Sequence, residues 1–252
     1  MTILTKNTDK LRQEVATHVA ADSIVQGDYW DEENRHGCYN GCLAKGDDPT
    51  INEVTYGLPV ILQRIAEGIF EALPADEAKA FFAALPDAVA CDGKDLTKVS
   101  WQFLAAELRS LPEQLAEIQA VIDPVIAGMD LLASGQEWTA AAAARDAAAR
   151  ADDDAWAAAW DTADDDAWAP AWAADNAVWA AADAARAAAA WAANAAAAAA
   201  DADAARAAAW AANAASAWAA NAATTTRAGS RRRQRDLLLR LISEAPVVEN
   251  HQ

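Results

Sequence analysis

"PVILQRIAEGIFEALP", residues 59–74, carries the reading of the fold. Ile61, Ile65, Ile69 and Leu73 recur at spacing four, which gathers them along one side of an α-helix and does not suit the two-residue alternation of a strand. Pro59 fits the first helical position, where the missing N–H has no intrahelical partner to lose. Pro74 stops the helix. The pattern repeats upstream. "TDKLRQEVATHVAADS" (8–23) opens on Thr8 or Asp9 as a cap and sets Leu11, Val15 and Val19 on one apolar face. "TINEVTYG" (50–57) offers Thr50 and Glu53 as a capping box and Gly57 as a stop. Between these two helices, Tyr29, Trp30 and the acidic Asp31, Glu32 and Glu33 read as a loop.

Downstream, "ADEAKAFFAALP" (75–86) reads as a short helix with Phe81, Phe82 and Leu85 inward. "DLTKVSWQFLAAELRSLP" (95–112) supplies Leu96, Val99, Trp101, Phe103, Leu104 and Leu108. In "PEQLAEIQAVIDPVIAGMDLLASG" (112–135), Leu115, Ile118, Val121, Ile122, Val125, Ile126 and Met129 are apolar, and Pro124 is expected to kink the helix.

After Gly135 the composition changes. "ADDDAWAAAWDT" (151–162) is followed at once by "ADDDAWAPAWAA" (163–174), a twelve-residue duplication in which Trp156 and Trp160 match Trp168 and Trp172. "ADAARAAAAWAAN" (182–194) recurs as "ADAARAAAWAAN" (202–213). Alanine has the highest helix propensity, so helix is the default. One straight helix over this stretch would run about 135 Å with little to pack on. Folding back as a stack of helices is expected, with tryptophans filling the volume that alanine leaves. "SRRRQRDLLLRLISEAP" (230–246) then reads as a capped amphipathic helix docking Leu237, Leu238, Leu241 and Ile242. Its leading Arg231, Arg232, Arg233 and Arg235 suit pairing with acidic surface or, alternatively, an anion site.

The expected fold is therefore all-α. Residues 1–135 form a helical domain with a Cys-containing loop or helix, 136–228 an Ala/Trp-rich helical repeat, and 229–252 a C-terminal amphipathic helix and tail. A formal charge of −18 repels nucleic acid and anionic membrane surfaces and favours cationic partners. No run of about twenty strongly apolar residues occurs, and the N-terminus has no apolar segment with a small-residue cleavage site. Three cysteines make no disulfide framework. A cytoplasmic protein is the expectation.

"HGCYNGC" (36–42) is the block that raises chemistry. Placed on a helix, Gly37, Cys38, Gly41 and Cys42 share one edge of small residues, on which another helix could approach closely. Two alternatives stand beside this packing role. Cys38 and Cys42 could share a zinc completed by His36 or Cys91, although the spacing fits no Cys-x-x-Cys knuckle. Cys38 or Cys42 could instead be a nucleophile near a helix start, with His36 or His18 as base. Asp47 and Asp48 suit capping of the next helix or cation binding.

Nine of the eleven tryptophans lie between Trp138 and Trp218, which makes that stretch both the bundle core and the place to look for an aromatic pocket. Ligand contact is assigned there to Trp156, Trp160, Trp168 and Trp172, whose faces could stack on bases or hold ammonium groups. Arg186 and Arg206 join them, each able to meet a phosphate or merely to pair with Asp183 or Asp203.

"HGCYNGCLAKGDDP…YGLP…IFEALPADEA…LP…DL", followed by the Ala/aromatic repeat and a Gln-Arg-Asp-Leu-Leu helix, resembles a family of bacterial and phage-type alanine-rich proteins. The Gly-Cys-x-x-Gly-Cys block is the most specific part, and the resemblance covers most of the chain. It implies no catalytic assignment; the phage-type occurrence implies interference with host defence.

The leading expectation is non-enzymatic binding of a small ligand or a partner protein, with sequestration of an immune signal nucleotide as one version. The alternatives are a Cys/His- or metal-dependent enzyme centred on His36, Cys38 and Cys42, and an acidic DNA mimic. No cofactor, no direct nucleic-acid binding and no membrane binding are expected; homo-oligomerisation stays open.

Overall fold

The computed structural model describes residues 2–110, 116–139 and 227–248. The described residues are mainly helical: α1 (Thr8–Ala20), α2 (Tyr39–Ala44), α3 (Thr50–Tyr56), α4 (Val60–Ala72), α5 (Ala75–Val89), α6 (Val99–Arg109), α7 (Ala116–Ala133) and α8 (Arg227–Glu244). Among the described residues the fold is all-α apart from one small hairpin, β1 (Trp30–Asp31) and β2 (His36–Gly37). Among these residues no helix is long and apolar enough to cross a membrane.

The chain divides into two compact units. One comprises residues 1–103 together with 231–252, the other 104–230. This differs from the expected division at 135 and 229. The C-terminal helix completes the N-terminal unit, and residues 104–230 are an insertion in it. Residues 140–226, the bulk of the expected Ala/Trp repeat, lie outside the described residues.

In the first unit, α4 buries Leu62, Ile65, Ala66, Ile69 and Phe70, and α5 buries Phe81, Phe82 and Leu85. Tyr39 from α2 is the centre of an aromatic cluster, stacked on Phe81 at 5.8 Å and meeting Phe82 edge-on at 5.7 Å and Phe70 at 6.2 Å. Each such side chain contributes about 1.5–3 kcal/mol through burial. α1 packs on α5, and α2 packs on α1, α3 and α4.

Several local expectations are corrected. Val19 is exposed; the inward residue on α1 is His18, with Leu11 and Val15. α5 continues through Pro86 to Val89, because proline in the final turn removes only one helical N–H while its ring is buried. The Tyr29–Glu33 loop is instead the entry to the hairpin, with Trp30 opposite Gly37 and Asp31 opposite His36. Thr50 and Glu53 do not form a capping box. Asp48 Oδ1 accepts from Thr50 N at 2.9 Å and Thr50 Oγ1 at 2.7 Å, while Glu53 Oε2 accepts Val60 N at 3.0 Å and so caps α4. Gly57 ends α3 in the left-handed region as expected (φ 69°), against the Leu4 carbonyl.

The C-terminal helix is strapped to the first unit by Lys94. This buried ammonium donates to Ala88 O at 3.0 Å, Ile242 O at 3.1 Å and Ser243 O at 2.9 Å, the carbonyl ends of α5 and α8. Helix C-termini carry partial negative charge, so they hold a cation without a carboxylate. Asp95 N to Pro246 O and Val248 N to Gly93 O, both 2.8 Å, extend the strap. Arg232 meets both oxygens of Glu77, and Arg235 reaches Glu77 at 3.5 Å. The arginine run thus pairs partly with an acidic residue of α5.

In the second unit, Trp138 is buried with its indole against Gly128 of α7, where any Cβ would overlap the ring. Arg109 and Asp130 form an ion pair there. Pro124 lies inside α7, which continues on both sides of it.

Candidate functional site

The Cys block does not lie on one helix. His36 and Gly37 are strand, Cys38 is the N-cap residue, and only Tyr39–Ala44 is helical. The glycines do serve a close approach, but the visitor is a peptide and not a helix. A Cβ on Gly41 or Gly37 would overlap the Tyr29 carbonyl oxygen. Cys38 N donates to Asp28 O at 2.7 Å, which fixes the chain before β1 against the start of α2.

Both sulfurs are buried. The Cys38 thiol faces Glu67 Oε1 at 3.7 Å. Burial pushes its pKa up to about 12; the Gly41 and Asn40 amides oppose the rise and Glu67 and Glu71 add to it. The Cys42 thiol is directed at Gly37 O, 3.2 Å away, and burial pushes its pKa up to about 11 against the opposing charge of Lys45. At neutral pH both are thiols, and the thiolate is the nucleophilic and metal-binding form. His36 is beside Asp31, Nε2 to Oδ2 3.7 Å, and Asp31 is otherwise engaged by the Glu33 and Asn34 amides of the turn. Cys91 is exposed. Among the described residues no three His, Cys, Asp or Glu side chains gather as a metal site, so His36, Cys38, Cys42 and Cys91 are not brought together as one.

On the other side of α2 the structure assembles a group that spacing does not reveal. Lys45, the C-cap of α2, is left-handed (φ 55°). Its Nζ lies 2.6 Å from Cys42 O, 2.5 Å from His18 Nε2, 3.9 Å from Glu14 Oε2 and 4.5 Å above the Trp30 ring. His18 Nδ1 is 2.7 Å from Ser23 Oγ, and Ser23 Oγ itself donates to His18 O at 3.3 Å. Ser23 therefore accepts from Nδ1–H, which leaves the Nε2 lone pair facing Lys45. Burial, and then the adjacent Lys45 charge, hold the His18 pKa below its usual value. The Trp30 edge packs against His18 at 5.9 Å.

A third cluster joins α4 to the hairpin. Arg64 pairs with Glu67 at 2.7 Å and reaches Tyr29 OH at 3.2 Å, while Glu71 accepts Gly27 N at 2.8 Å. Burial raises the Glu71 pKa.

Of the residues singled out in sequence, His18 and Cys42 flank the Lys45 amine, and Cys38 and His36 do not. Lys45, Ser23 and Glu14 were missed. A histidine seven residues after Leu11 on an apolar face, and a lysine before Gly46 at a helix end, are the signals that were there. Trp156, Trp160, Trp168, Trp172, Arg186 and Arg206 lie outside the described residues. No family model, curated protein or solved structure matches the chain.

Proposed function

We propose that the protein is a non-enzymatic binding protein in which the first unit holds residues 104–230 as the recognition segment. The supporting observation is the topology of the strap. The chain leaves the first unit after the buried Phe103 and re-enters it at the buried Arg231, with Lys94 tying the returning helix in place. Between these anchors lie nine of the eleven tryptophans and the acidic triplets Asp152–Asp154 and Asp164–Asp166, so the insertion is where aromatic and charged recognition chemistry is concentrated. The ligand is a small molecule or a partner protein held on Trp156, Trp160, Trp168 and Trp172. A nucleotide-type immune signal, as the phage-type resemblance implies, would engage Arg186 and Arg206 as its counter-charges in an otherwise acidic chain. The protonated thiols of Cys38 and Cys42 weigh against the cysteine-enzyme alternative.

Native mass spectrometry of the freshly purified full chain tests this. A co-purifying mass that is released on denaturation and reduced by Trp156→Ala with Trp168→Ala supports it. A bare chain that binds nothing from a cell extract, together with loss of biological effect in Cys38→Ser at unchanged melting temperature, would transfer the function to the Cys block.

A further inference from the structure

Lys45 combines three features that packing alone does not ask for. A left-handed backbone at a residue with a Cβ is strained by roughly 1 kcal/mol or more, and such strain concentrates at functional sites. Gly46, the next residue, would take that conformation freely, yet Lys45 has it. The lysine side chain is also 41% exposed, while its amine touches a buried imidazole. Finally, the imidazole is oriented by a third group, Ser23, in the tautomer that aims a lone pair at the amine. A nucleophile, a base within hydrogen-bond reach and an orienter of that base are the arrangement of an activated nucleophile.

We propose that Lys45, His18 and Ser23 form a carbonyl-capturing site, with Lys45 Nζ as nucleophile, His18 Nε2 as base, Ser23 as positioning residue and a small aldehyde or ketone as ligand. His18 Nε2 takes a proton from the ammonium. The freed Nζ lone pair forms the C–N bond, the carbonyl π pair moves to oxygen, and that oxygen takes up a proton shed by the now positively charged nitrogen. The carbinolamine then loses its hydroxyl as water, with the proton returned by His18 Nε2–H. Ammonium and carbonyl become iminium and water, with no change of oxidation state and no co-reactant. Trp30, already against the amine, is the flat apolar face beside the bound carbon skeleton.

The surroundings agree. Burial lowers the Lys45 pKa and nearby Arg35 adds to this, while Glu14, Cys42 and Glu32 act in the opposite direction. More free amine is present near neutrality than at an ordinary lysine. The site lies wholly within the first unit and does not rest on the role proposed for residues 104–230.

The test uses the full chain, benzaldehyde as probe and cyanoborohydride to trap the imine, with peptide mapping of all six lysines. Lys45 is expected to be labelled several-fold faster than Lys6 or Lys10, with a rate that levels off at lower pH than theirs. His18→Gln, which keeps a polar side chain and removes the base, should bring Lys45 down to the rate of Lys6; Ser23→Ala should give an intermediate rate. Circular dichroism identifies variants that do not fold, and the lysine-against-lysine comparison in the unaltered chain then decides alone. Labelling of Lys45 no faster than of Lys6 and Lys10, or undiminished in folded His18→Gln, overturns the proposal.

Discussion

The two ends of α2 make opposite uses of one six-residue helix. At its start, Cys38 and Cys42 lie in a closed environment: Tyr29 crosses over Gly37 and Gly41, and both sulfurs are buried as neutral thiols. At its end, the Lys45 side chain is partly exposed and its amine is in contact with a buried imidazole. Residue type points to the first end as the reactive one, since cysteine is the stronger nucleophile. Environment reverses the order, because burial suppresses the thiolate while it favours the free amine. For both groups burial opposes the charged form; what differs is that the neutral form is the inert one for sulfur and the reactive one for nitrogen.

The largest expected effect tests the closed end. Gly41→Leu places side-chain atoms on the Tyr29 peptide, which is backbone and has no rotamer to yield. Overpacking of this kind is expected to destabilise by more than about 3 kcal/mol or to prevent folding, read by urea unfolding followed by circular dichroism. A loss under about 1 kcal/mol would mean that the crossing is loose and the sulfurs are accessible.

Next is the strap that makes the C-terminal helix part of the first unit. Lys94→Met leaves the carbonyls of Ala88, Ile242 and Ser243 without their donor. A loss of about 3 kcal/mol is expected, accompanied by faster proteolysis after the arginines of α8. Unchanged protection there would show that Glu77 and its arginines suffice to hold the helix.

A smaller effect separates the ends by pH. A thiol whose folded pKa is raised stays protonated in the native state after the unfolded chain has begun to ionise. Its contribution to stability is therefore complete below the unfolded value, about 8.5, and is lost as pH rises toward the folded values of about 11 for Cys42 and about 12 for Cys38. Denaturation midpoints should fall on the alkaline side from about pH 8.5 upward. Cys38→Ser with Cys42→Ser should flatten that decline. An identical slope in the double variant would assign the alkaline loss to other groups.

The smallest effect is a control beside the open end. A Cβ on Gly46 meets nothing within 4 Å, so Gly46→Ala should change stability by no more than about 0.5 kcal/mol. Set against Gly41→Leu in the same stretch, it shows whether the sensitivity comes from the crossing or from loss of glycine as such.

The helices were largely legible because their signals are local. Pro59, Pro74 and Gly57 bracket elements within a few residues, and spacing of three and four marks the faces of α4 and α5. The hairpin was not legible, since two paired residues per strand are too few to show an alternation. Asp92 gives its carboxylate to Thr8 N, 84 residues away, and no cap next to Thr8 or Asp9 announces it. The cysteine block shows its residue types in sequence but not its register, because at His36 and Gly37 cross-strand hydrogen bonds outweigh helical continuation.

What the sequence determined by itself is the all-α character, the placement of most helix ends, and the separation of an ordinary apolar region from an alanine- and tryptophan-rich one. These follow from propensity and periodicity, which act within a turn or two of chain. Only the tertiary structure decided that the C-terminal helix returns to the first unit, that Tyr29 is the partner of Gly41, and that Lys45 meets His18 across 27 positions. Each of these depends on which surfaces meet after the helices form, and burial then sets the protonation and reactivity of the groups that meet.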